Sequence, residues 1–303
     1  MTREHVVQAH ALTKNYGASL ALQALNMQVP EGAVYGLLGR NGAGKSTTLR
    51  ILLNLLRPAS GEITVWGHSP DQLPRELRQQ IGYASDSMQL IPWLRVDQIL
   101  AYNGSFYPGW DAAYVEQCLK RLALDRRKRV FSLSRGDRQK LGLLLAIGHH
   151  PRLLILDEPA GGLDPLARKE FLEHLIELLH ASGTTIILSS QQMNDLERIA
   201  DHIGLIADGQ MRLEMPLEDL KRCYRRIALT APDLPSELAL AQLAGVITSQ
   251  RYPGYLELIH ANWSAAAEAQ LLRQFPAVHL EQHPLSLEDI FLIYTQSVGG
   301  AAC

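Results

Sequence analysis

The fold is decided by the stretch Ala33–Leu56, AVYGLLGRNGAGKSTTLRILLNLL. It begins with an apolar run typical of a buried strand, continues through a glycine-rich loop and ends in the pattern of an amphipathic helix. The loop, Gly39–Ser46, has the spacing Gly-x-x-x-x-Gly-Lys-Ser/Thr. Its glycines let the backbone N–H groups curl around a highly charged anion, and the helix that follows points its positive end at the same place. The stretch therefore predicts a site for a nucleoside triphosphate.

The loop also supplies side chains for the phosphates and their metal. Lys45 would contact the β- and γ-phosphates, and the Ser46 hydroxyl would coordinate Mg²⁺. The residues of this segment expected to bind the nucleotide are Gly39, Asn41, Gly42, Gly44, Lys45, Ser46 and Thr47. A glycine-rich turn with a chance lysine is disfavoured, because the loop, the lysine, the hydroxyl and both flanking elements agree.

The composition is that of a globular protein. The chain has 303 residues, 47% hydrophobic and 20% charged, with a formal net charge of −2. This length suits one large and one small domain, and the net charge gives no reason to expect nucleic acid as a partner. Three scattered cysteines, Cys118, Cys223 and Cys303, suggest neither a disulfide framework nor a metal site. The N-terminus has no signal-peptide core and no stretch approaches ~18 uninterrupted apolar residues, so we expect a cytoplasmic chain without a spanning helix.

Two continuous apolar runs, Leu153–Leu156 and Thr185–Leu188, predict parallel strands buried on both faces. The helix expected between them, Pro165–Leu179, would be the crossover connection. Further on, His202–Ile206 and Gln210–Leu213 predict a hairpin across an Asp-Gly turn. The large domain is therefore expected to contain a mostly parallel sheet.

Other segments complete the outline. Residues 4–30 alternate loosely and predict short antiparallel strands, and the helix after the loop is expected to end at Pro58. Residues 87–150 have mostly helical patterns and predict an inserted helical subdomain. From Pro216 the pattern predicts a small α+β domain. Its strands are expected at 224–231, 255–260 and 277–281, and its helices at 264–274 and 286–296.

The last of these helices has a recognisable start. Ser286, with Asp289 three residues on, has the spacing of a helix-capping pair.

Two carboxylates follow the first buried run. Asp157 comes at the end of a strand, where a carboxylate can hold Mg²⁺, usually through water. Glu158, the next residue, would act as a general base or would orient the attacking water. A pair of this kind is a weak signal alone and a strong one downstream of a phosphate-binding loop.

Between the loop and the carboxylates lies Leu133–Gln139, LSRGDRQ, followed by a helix. With these motifs in this order, residues 4 to about 215 resemble the ATP-binding subunits of ABC transporters, and Leu-Ser-x-Gly resembles the signature motif of that family. Gly161–Asp164 resembles the family's D-loop. Tyr16 matches the aromatic residue that stacks on adenine, although a packed tyrosine is the alternative.

The resemblance implies an α/β fold with a P-loop NTPase core and a mostly parallel sheet. An N-terminal antiparallel β subdomain, an inserted helical subdomain at about 87–150 and a small α+β C-terminal domain would complete it. The implied domains are an ABC nucleotide-binding domain, 1–215, and a small accessory or regulatory domain, 216–303.

The resemblance also implies a head-to-tail dimer, either of two copies or with a related ABC ATPase, with ATP and Mg²⁺ between the subunits. Ser134, Gly136 and Asp137 of one subunit would then contact the ATP bound by the phosphate loop of the other. Asp164 would belong to the catalytic group with Glu158. The implied activity is ATP hydrolysis.

Two positions depart from the family pattern. Asp86 stands where the family usually has glutamine; its carboxylate could still coordinate Mg²⁺. Gln191 stands where the family has a histidine that contacts the γ-phosphate. Glutamine can donate a hydrogen bond but cannot relay a proton. We therefore expect ATP binding to be retained and hydrolysis to be slow.

Phe106–Asp111 (FYPGWD), the Leu-Ser-Arg-Gly signature and Pro284–Leu292 resemble a subgroup of bacterial ABC-2 type exporters whose permease is a separate polypeptide. The resemblance implies a peripheral subunit on the inner face of the cell membrane that powers export of a small molecule, peptide or lipid-like compound. Five aromatic residues could form the groove for the permease's coupling helix, or equally belong to the core. They are Trp93, Tyr102, Phe106, Tyr107 and Trp110.

Two other classes of function stay open. One is a nucleotide sensor that binds ATP with little turnover, motivated by Asp86 and Gln191. The other is a non-transport ABC ATPase acting on ribosomes or DNA. The second is disfavoured because the chain has neither fused cassettes, a basic linker, a coiled coil nor zinc cysteines.

Overall fold

The computed structural model describes residues 4–179, 183–237, 240 and 242–296. The chain divides into two compact units, residues 1–214 and 215–303. Up to the start of the second unit the strands are β1 (His5–Tyr16), β2 (Ser19–Pro30), β3 (Val34–Leu38), β4 (Ser60–Val65), β5 (Ile81–Ser85), β6 (Leu153–Asp157), β7 (Thr185–Ser190), β8 (His202–Ala207) and β9 (Gln210–Pro216). The α-helices of this part are α1 (Lys45–Leu52), α2 (Arg75–Arg78), α3 (Val96–Gly104), α4 (Ala112–Arg121), α5 (Arg135–Ile147), α6 (Pro165–Leu179) and α7 (Met193–Ile199).

The central sheet of the first unit has the strand order β5-β6-β7-β3-β8-β9. Strands β5, β6, β7, β3 and β8 pair in parallel. Every residue of β6 and β7 is buried, because helices cover both faces of a parallel sheet. Strand β9 follows β8 through a turn at Asp208 and Gly209, whose φ values of 51° and 73° suit a tight hairpin.

The register of the parallel strands places the functional segments together. Leu38 at the end of β3 lies opposite Ser190 of β7, and Ser85 at the end of β5 lies opposite Asp157 of β6. The phosphate loop and the residues that follow β5, β6 and β7 therefore meet at the carboxyl edge of the sheet, where open α/β sheets bind ligands.

A second, antiparallel sheet of the first unit has the order β2-β1-β4. Strands β1 and β2 have 12 residues each and are longer than the short strands expected from the sequence. Ala11 and Ala24 have a φ of 47° where the register shifts. Such bulges allow long strands to bend without losing their pairing, and they interrupt the alternation in the sequence.

The helix after the phosphate loop ends at Leu52, not at Pro58 as the apolar spacing suggested. Asn54 leaves the helix with a left-handed φ of 57°. Leu53 and Leu56 still pack against the core of this unit from the turns beyond the helix. Because these leucines are partly buried, the apolar spacing typical of a helix continues in the sequence beyond the end of the helix itself.

The helical segment between β5 and β6 contains α3, α4, the 3₁₀ turn Val130–Ser132 and α5. Asp111 caps α4 by accepting a hydrogen bond from Tyr114 N, at 2.9 Å. Helix α5 lies directly on β5, because a Cβ added to Gly82 would stand 2.2 Å from the Ala146 carbonyl oxygen.

The second unit has its own antiparallel sheet and core. Its elements are α8 (Leu217–Cys223), β10 (Arg225–Thr230), β11 (Val246–Tyr252), β12 (Tyr255–His260), α9 (Ala265–Gln274), β13 (His279–Pro284) and α10 (Leu287–Gln296), with the strand order β11-β12-β10-β13. The core includes Ile227, Leu258 and Leu271. Strand β11 and helix α8 were missed in the sequence, since β11 contains a mixture of half-buried and exposed residues without an apolar run.

The expected cap of the last helix is present. Ser286 Oγ accepts from Asp289 N at 3.1 Å, and the Asp289 carboxylate accepts from Ser286 N at 3.2 Å. Of the cysteines, Cys118 and Cys223 are free, and Cys303 lies outside the described residues. Within the described part of the chain, no helix has both the length and the apolar character needed to cross a bilayer.

Candidate functional site

The phosphate loop is held tightly at both of its ends. A Cβ added to Gly39 would stand 2.6 Å from the Ile206 carbonyl oxygen. Gly44 has a φ of 114°, and an added Cβ there would stand 2.6 Å from Leu22 Cδ2. Thr48, buried in the first turns of α1, donates its hydroxyl to Gly44 O at 3.0 Å. Only glycine fits these two positions, and Thr48, which the sequence argument did not single out, fixes the loop to its helix.

Lys45 is buried beneath the loop. Its Nζ donates to Gly39 O at 2.6 Å and lies 3.1 Å from Glu158 Oε1. A buried ammonium group needs such partners. The predicted phosphate-binding lysine and the predicted base therefore form an ion pair across the loop.

Asp157 gathers two hydroxyl groups at the end of β6. Its Oδ1 accepts from Ser46 Oγ at 2.9 Å and from Ser189 Oγ at 2.7 Å. A hydroxyl and a carboxylate oxygen are hard ligands of the kind Mg²⁺ prefers, so Ser46 and Asp157 fit the predicted metal. The described residues contain no cluster of three or more Asp, Glu, His or Cys side chains that could hold a metal ion. Ser189 was missed; its signal was a polar residue near the end of a buried strand, β7, which pairs with β6.

Glu158 adopts a left-handed φ of 50°, which turns the chain sharply after the strand. Its N–H donates to Ser189 Oγ at 3.0 Å. Burial raises the pKa of the Glu158 carboxyl, against the opposing effects of Lys45 and of a hydrogen bond from the Gln191 backbone. Glu158 and Gln191 thus lie side by side. Their joint action on one water stays a prediction.

Asp86 lies at the same edge but has other partners. Its carboxylate accepts from Arg135 Nη2 at 2.6 Å and from Gln139 Nε2 at 2.9 Å. Its own N–H donates to Asp157 O at 3.1 Å, which places its backbone beside the metal candidates. The metal-binding role assigned to Asp86 from the sequence stays a prediction.

The signature segment opens α5. Ser134 Oγ caps this helix by accepting from Asp137 N at 3.1 Å, and Ser134 is exposed. Gly136 follows in the first turn. Among the described residues, no hydrogen bond or ion pair joins this segment directly to Gly39–Thr47.

Two further candidate residues have visible local roles. Asp164 Oδ1 accepts from Leu166 N and Ala167 N, at 3.1 and 3.0 Å, and so caps α6. Its catalytic role stays a prediction. Tyr16 is 48% exposed, with Lys14 Nζ 5.7 Å from its ring centre, and is accessible for stacking.

The five aromatic residues of the helical segment divide into two groups. Trp93, Tyr102 and Phe106 are 69%, 54% and 56% exposed. Tyr107 instead stacks on His149 with ring centres 4.0 Å apart, and Trp110 packs against Gly148. Tyr102 and Tyr107 line a cavity of about 440 Å³ next to β5. Three of the five are therefore accessible at the surface and two pack inside the segment, and the groove for a coupling helix stays a prediction.

Comparison with known proteins agrees with this geometry. Residues 22–161 match the family described as ABC transporter. The bacitracin transport ATP-binding protein BcrA of Enterococcus faecalis is 36% identical over 228 residues, 75% of this chain and 74% of that protein. The Nod factor export ATP-binding protein I of Neorhizobium galegae is 33% identical over 298 residues, 95% of this chain and 84% of that protein.

Solved structures confirm the predicted fold class. An ATP-binding subunit of an ABC transporter superposes with a TM-score of 0.63 at 30% identity, covering 72% of this chain and 92% of that one. A dimeric bacterial ABC transporter cassette, MJ0796, superposes with a TM-score of 0.61 at 25% identity, covering 70% and 98%. The chain belongs to the ATP-binding subunits of ABC transporters.

Proposed function

We propose that this chain binds ATP with Mg²⁺ and hydrolyses it to power a separate membrane permease. The observation that carries the proposal is the meeting of Lys45, Ser46 and the Asp157–Glu158 pair at one edge of the sheet. Lys45 would bind the phosphates, Ser46 and Asp157 would hold Mg²⁺, and Glu158 would take the proton of the attacking water.

The active form we propose is a head-to-tail dimer. Ser134 and Gly136 open a helix whose N-terminus can bind an anion. They would contact ATP held by the phosphate loop of a second copy or of a related ATPase. The dimeric relative among the solved structures supports this assembly.

We propose export as the direction of transport and a small molecule, peptide or lipid-like compound as the cargo. The relatives named for bacitracin transport and for Nod factor export support this range. The permease would dock on the exposed aromatic residues of the helical segment, and the chain would then lie on the inner face of the membrane. The second unit would serve as an accessory or regulatory domain.

Three proteins test the nucleotide site: wild type, Lys45→Ala and Glu158→Gln. We expect Lys45→Ala to weaken ATP affinity about tenfold to a hundredfold, since it removes a charged hydrogen-bond donor. Glu158→Gln should retain ATP binding and lose a hundredfold or more in hydrolysis, the typical order for a general base. Binding is measured with a fluorescent ATP analogue and turnover by phosphate release. Unchanged affinity in Lys45→Ala would contradict the proposal.

A second candidate function is a nucleotide sensor with little turnover. It is favoured by Gln191 at the position beside Glu158, because an amide cannot relay a proton. ATP binding with negligible phosphate release, unchanged when a permease is present, would favour the sensor over the transport ATPase.

A further inference from the structure

Asp86 and Arg135 form a forked ion pair. Asp86 directly follows β5, and Arg135 is the first residue of α5. Arg135 Nη2 donates to Asp86 Oδ2 at 2.6 Å, and Nε approaches Oδ1 at 3.3 Å. Two donors from a planar guanidinium fix direction as well as distance, which a single ammonium cannot do.

The pair is built into a junction of three segments. Gln139, 9% exposed and one turn further along α5, donates to Asp86 Oδ1 at 2.9 Å and to Gly161 O at 2.8 Å. Gly162 has a φ of 68°, and a Cβ added there would stand 2.0 Å from Arg135 Nη1. The guanidinium therefore lies directly against this glycine, and the end of β5, the start of α5 and the loop after β6 are tied together.

Arg135 stands between Ser134 and Gly136, two of the residues that the proposed dimer directs at a second ATP. Both Asp86 oxygens are occupied by donors from α5. We propose that Asp86 and Arg135 are a positioning pair, which fixes the first turn of α5 and so aims Ser134 and Gly136 at the nucleotide of the partner subunit. The role rests on the head-to-tail dimer proposed above, and it assigns Asp86 to α5 instead of to the metal.

The test uses ATP-driven dimerisation of the full chain. In a Glu158→Gln background, which is expected to bind ATP without hydrolysing it, light scattering gives the ATP concentration for half-maximal dimer formation. We expect Asp86→Asn and Arg135→Gln each to raise this concentration about twofold to fivefold, the range of a half-exposed ion pair. The double variant should need no more ATP for half-maximal dimer formation than the more impaired single variant, because both substitutions remove the same interaction.

Two further variants separate the pair from general effects. Arg138→Gln makes the same charge change three residues along α5, at an exposed residue, and should leave dimerisation unchanged. Gly162→Ala retains both charges but places a methyl group against the guanidinium, and should weaken dimerisation. The affinity of the dilute monomer for a fluorescent ATP analogue should change less than dimerisation in every variant.

The outcomes are distinct. The positioning pair is overturned if the effects of the two single variants on dimerisation add in the double variant, or if neither single variant changes dimerisation. If Asp86→Asn shifts the Mg²⁺ dependence of ATP-analogue binding and Arg135→Gln does not, Asp86 is a metal ligand and the inference is wrong. A parent protein that binds ATP but stays monomeric overturns the proposed dimer and this role with it. A parent that dimerises, with variants that dimerise equally, overturns the pair alone.

Discussion

At the scale of single residues, the Lys45–Glu158 ion pair sets the state of the site before nucleotide arrives. The two charges are 3.1 Å apart, with side chains 5% and 21% exposed, so each lowers the cost of burying the other. Phosphates that bind Lys45 would draw it from Glu158. Losing this cation raises the pKa of Glu158 further and makes the carboxylate a stronger base.

Gln191 is the residue expected to limit turnover. We predict that Gln191→His raises the rate of phosphate release at least about tenfold, because an imidazole can relay a proton beside Glu158. Gln192→His, a change at the next exposed residue, should have little effect. A wild-type rate already near ~10 s⁻¹, a typical enzyme rate, would contradict the prediction.

His149 gives the chain a pH dependence outside the nucleotide site. Burial lowers its pKa from 6.5 to about 4, and its ring stacks on Tyr107. Because the pKa is lower in the folded state, the unfolded chain takes up the proton first. Stability should therefore fall as the pH drops from 6.5 to about 4.

The size of this effect is on the order of 3 kcal/mol. Urea unfolding of wild type and His149→Asn between pH 6.5 and about 4 measures this effect. In the variant, the free energy of unfolding should lose this part of its dependence on pH. His10→Asn, at an exposed histidine of β1, should retain it. Equal slopes in wild type and His149→Asn would show that the ring is not held neutral by burial.

At the scale of elements, α5 carries the signature segment at one end and packs on β5 along its length. Gly82 allows this contact, because a Cβ at this position would lie only 2.2 Å from the Ala146 carbonyl oxygen. The same strand leads to Asp86. The placement of α5 therefore depends on small residues under the helix as well as on the ion pair at its start.

We predict that Gly82→Ala lowers the free energy of unfolding by about 1–3 kcal/mol, the usual result of overpacking. Gly142→Ala in α5 is the matched control, because its nearest non-local atom would be Met88 Sδ at 3.8 Å. It should be neutral or stabilising by up to about 1 kcal/mol, from helix propensity. Denaturant unfolding compares the two, and equal stabilities would refute the close contact.

At the scale of the whole molecule, the proposed transport function requires the nucleotide site to be coupled to a permease. Trp93 and Phe106 are large, apolar and more than half exposed at the helical segment. Such side chains in one region indicate an interaction surface. Tyr107, stacked on His149, is unsuitable for a test because a charge there would disturb the core.

We predict that Trp93→Glu and Phe106→Glu abolish co-purification with the permease in membranes while ATP affinity changes less than twofold. Leu272→Glu, at an exposed leucine of the second unit, should co-purify as wild type does. Loss of folding by circular dichroism, or recruitment equal to wild type, would contradict the assignment of this surface.

The sequence by itself determined the phosphate loop, the buried strands and the Ser286 cap, because each depends on residues close together in the chain. The family and the fold class could be predicted in the same way, from the motifs and their order along the chain. The split among the aromatic residues was left open because periodicity does not say which face of a helical segment is covered.

Only the tertiary structure decided which polar groups meet. Arg135 reaches Asp86 across 49 residues, Ser46 reaches Asp157 across 111, and Ser189 reaches it across 32. The physical reason is that a charged or hydroxyl side chain can accept several partners of similar energy. The register of the parallel strands and the close packing of α5 on β5 select among these partners. Neither can be inferred from the residues at the site alone.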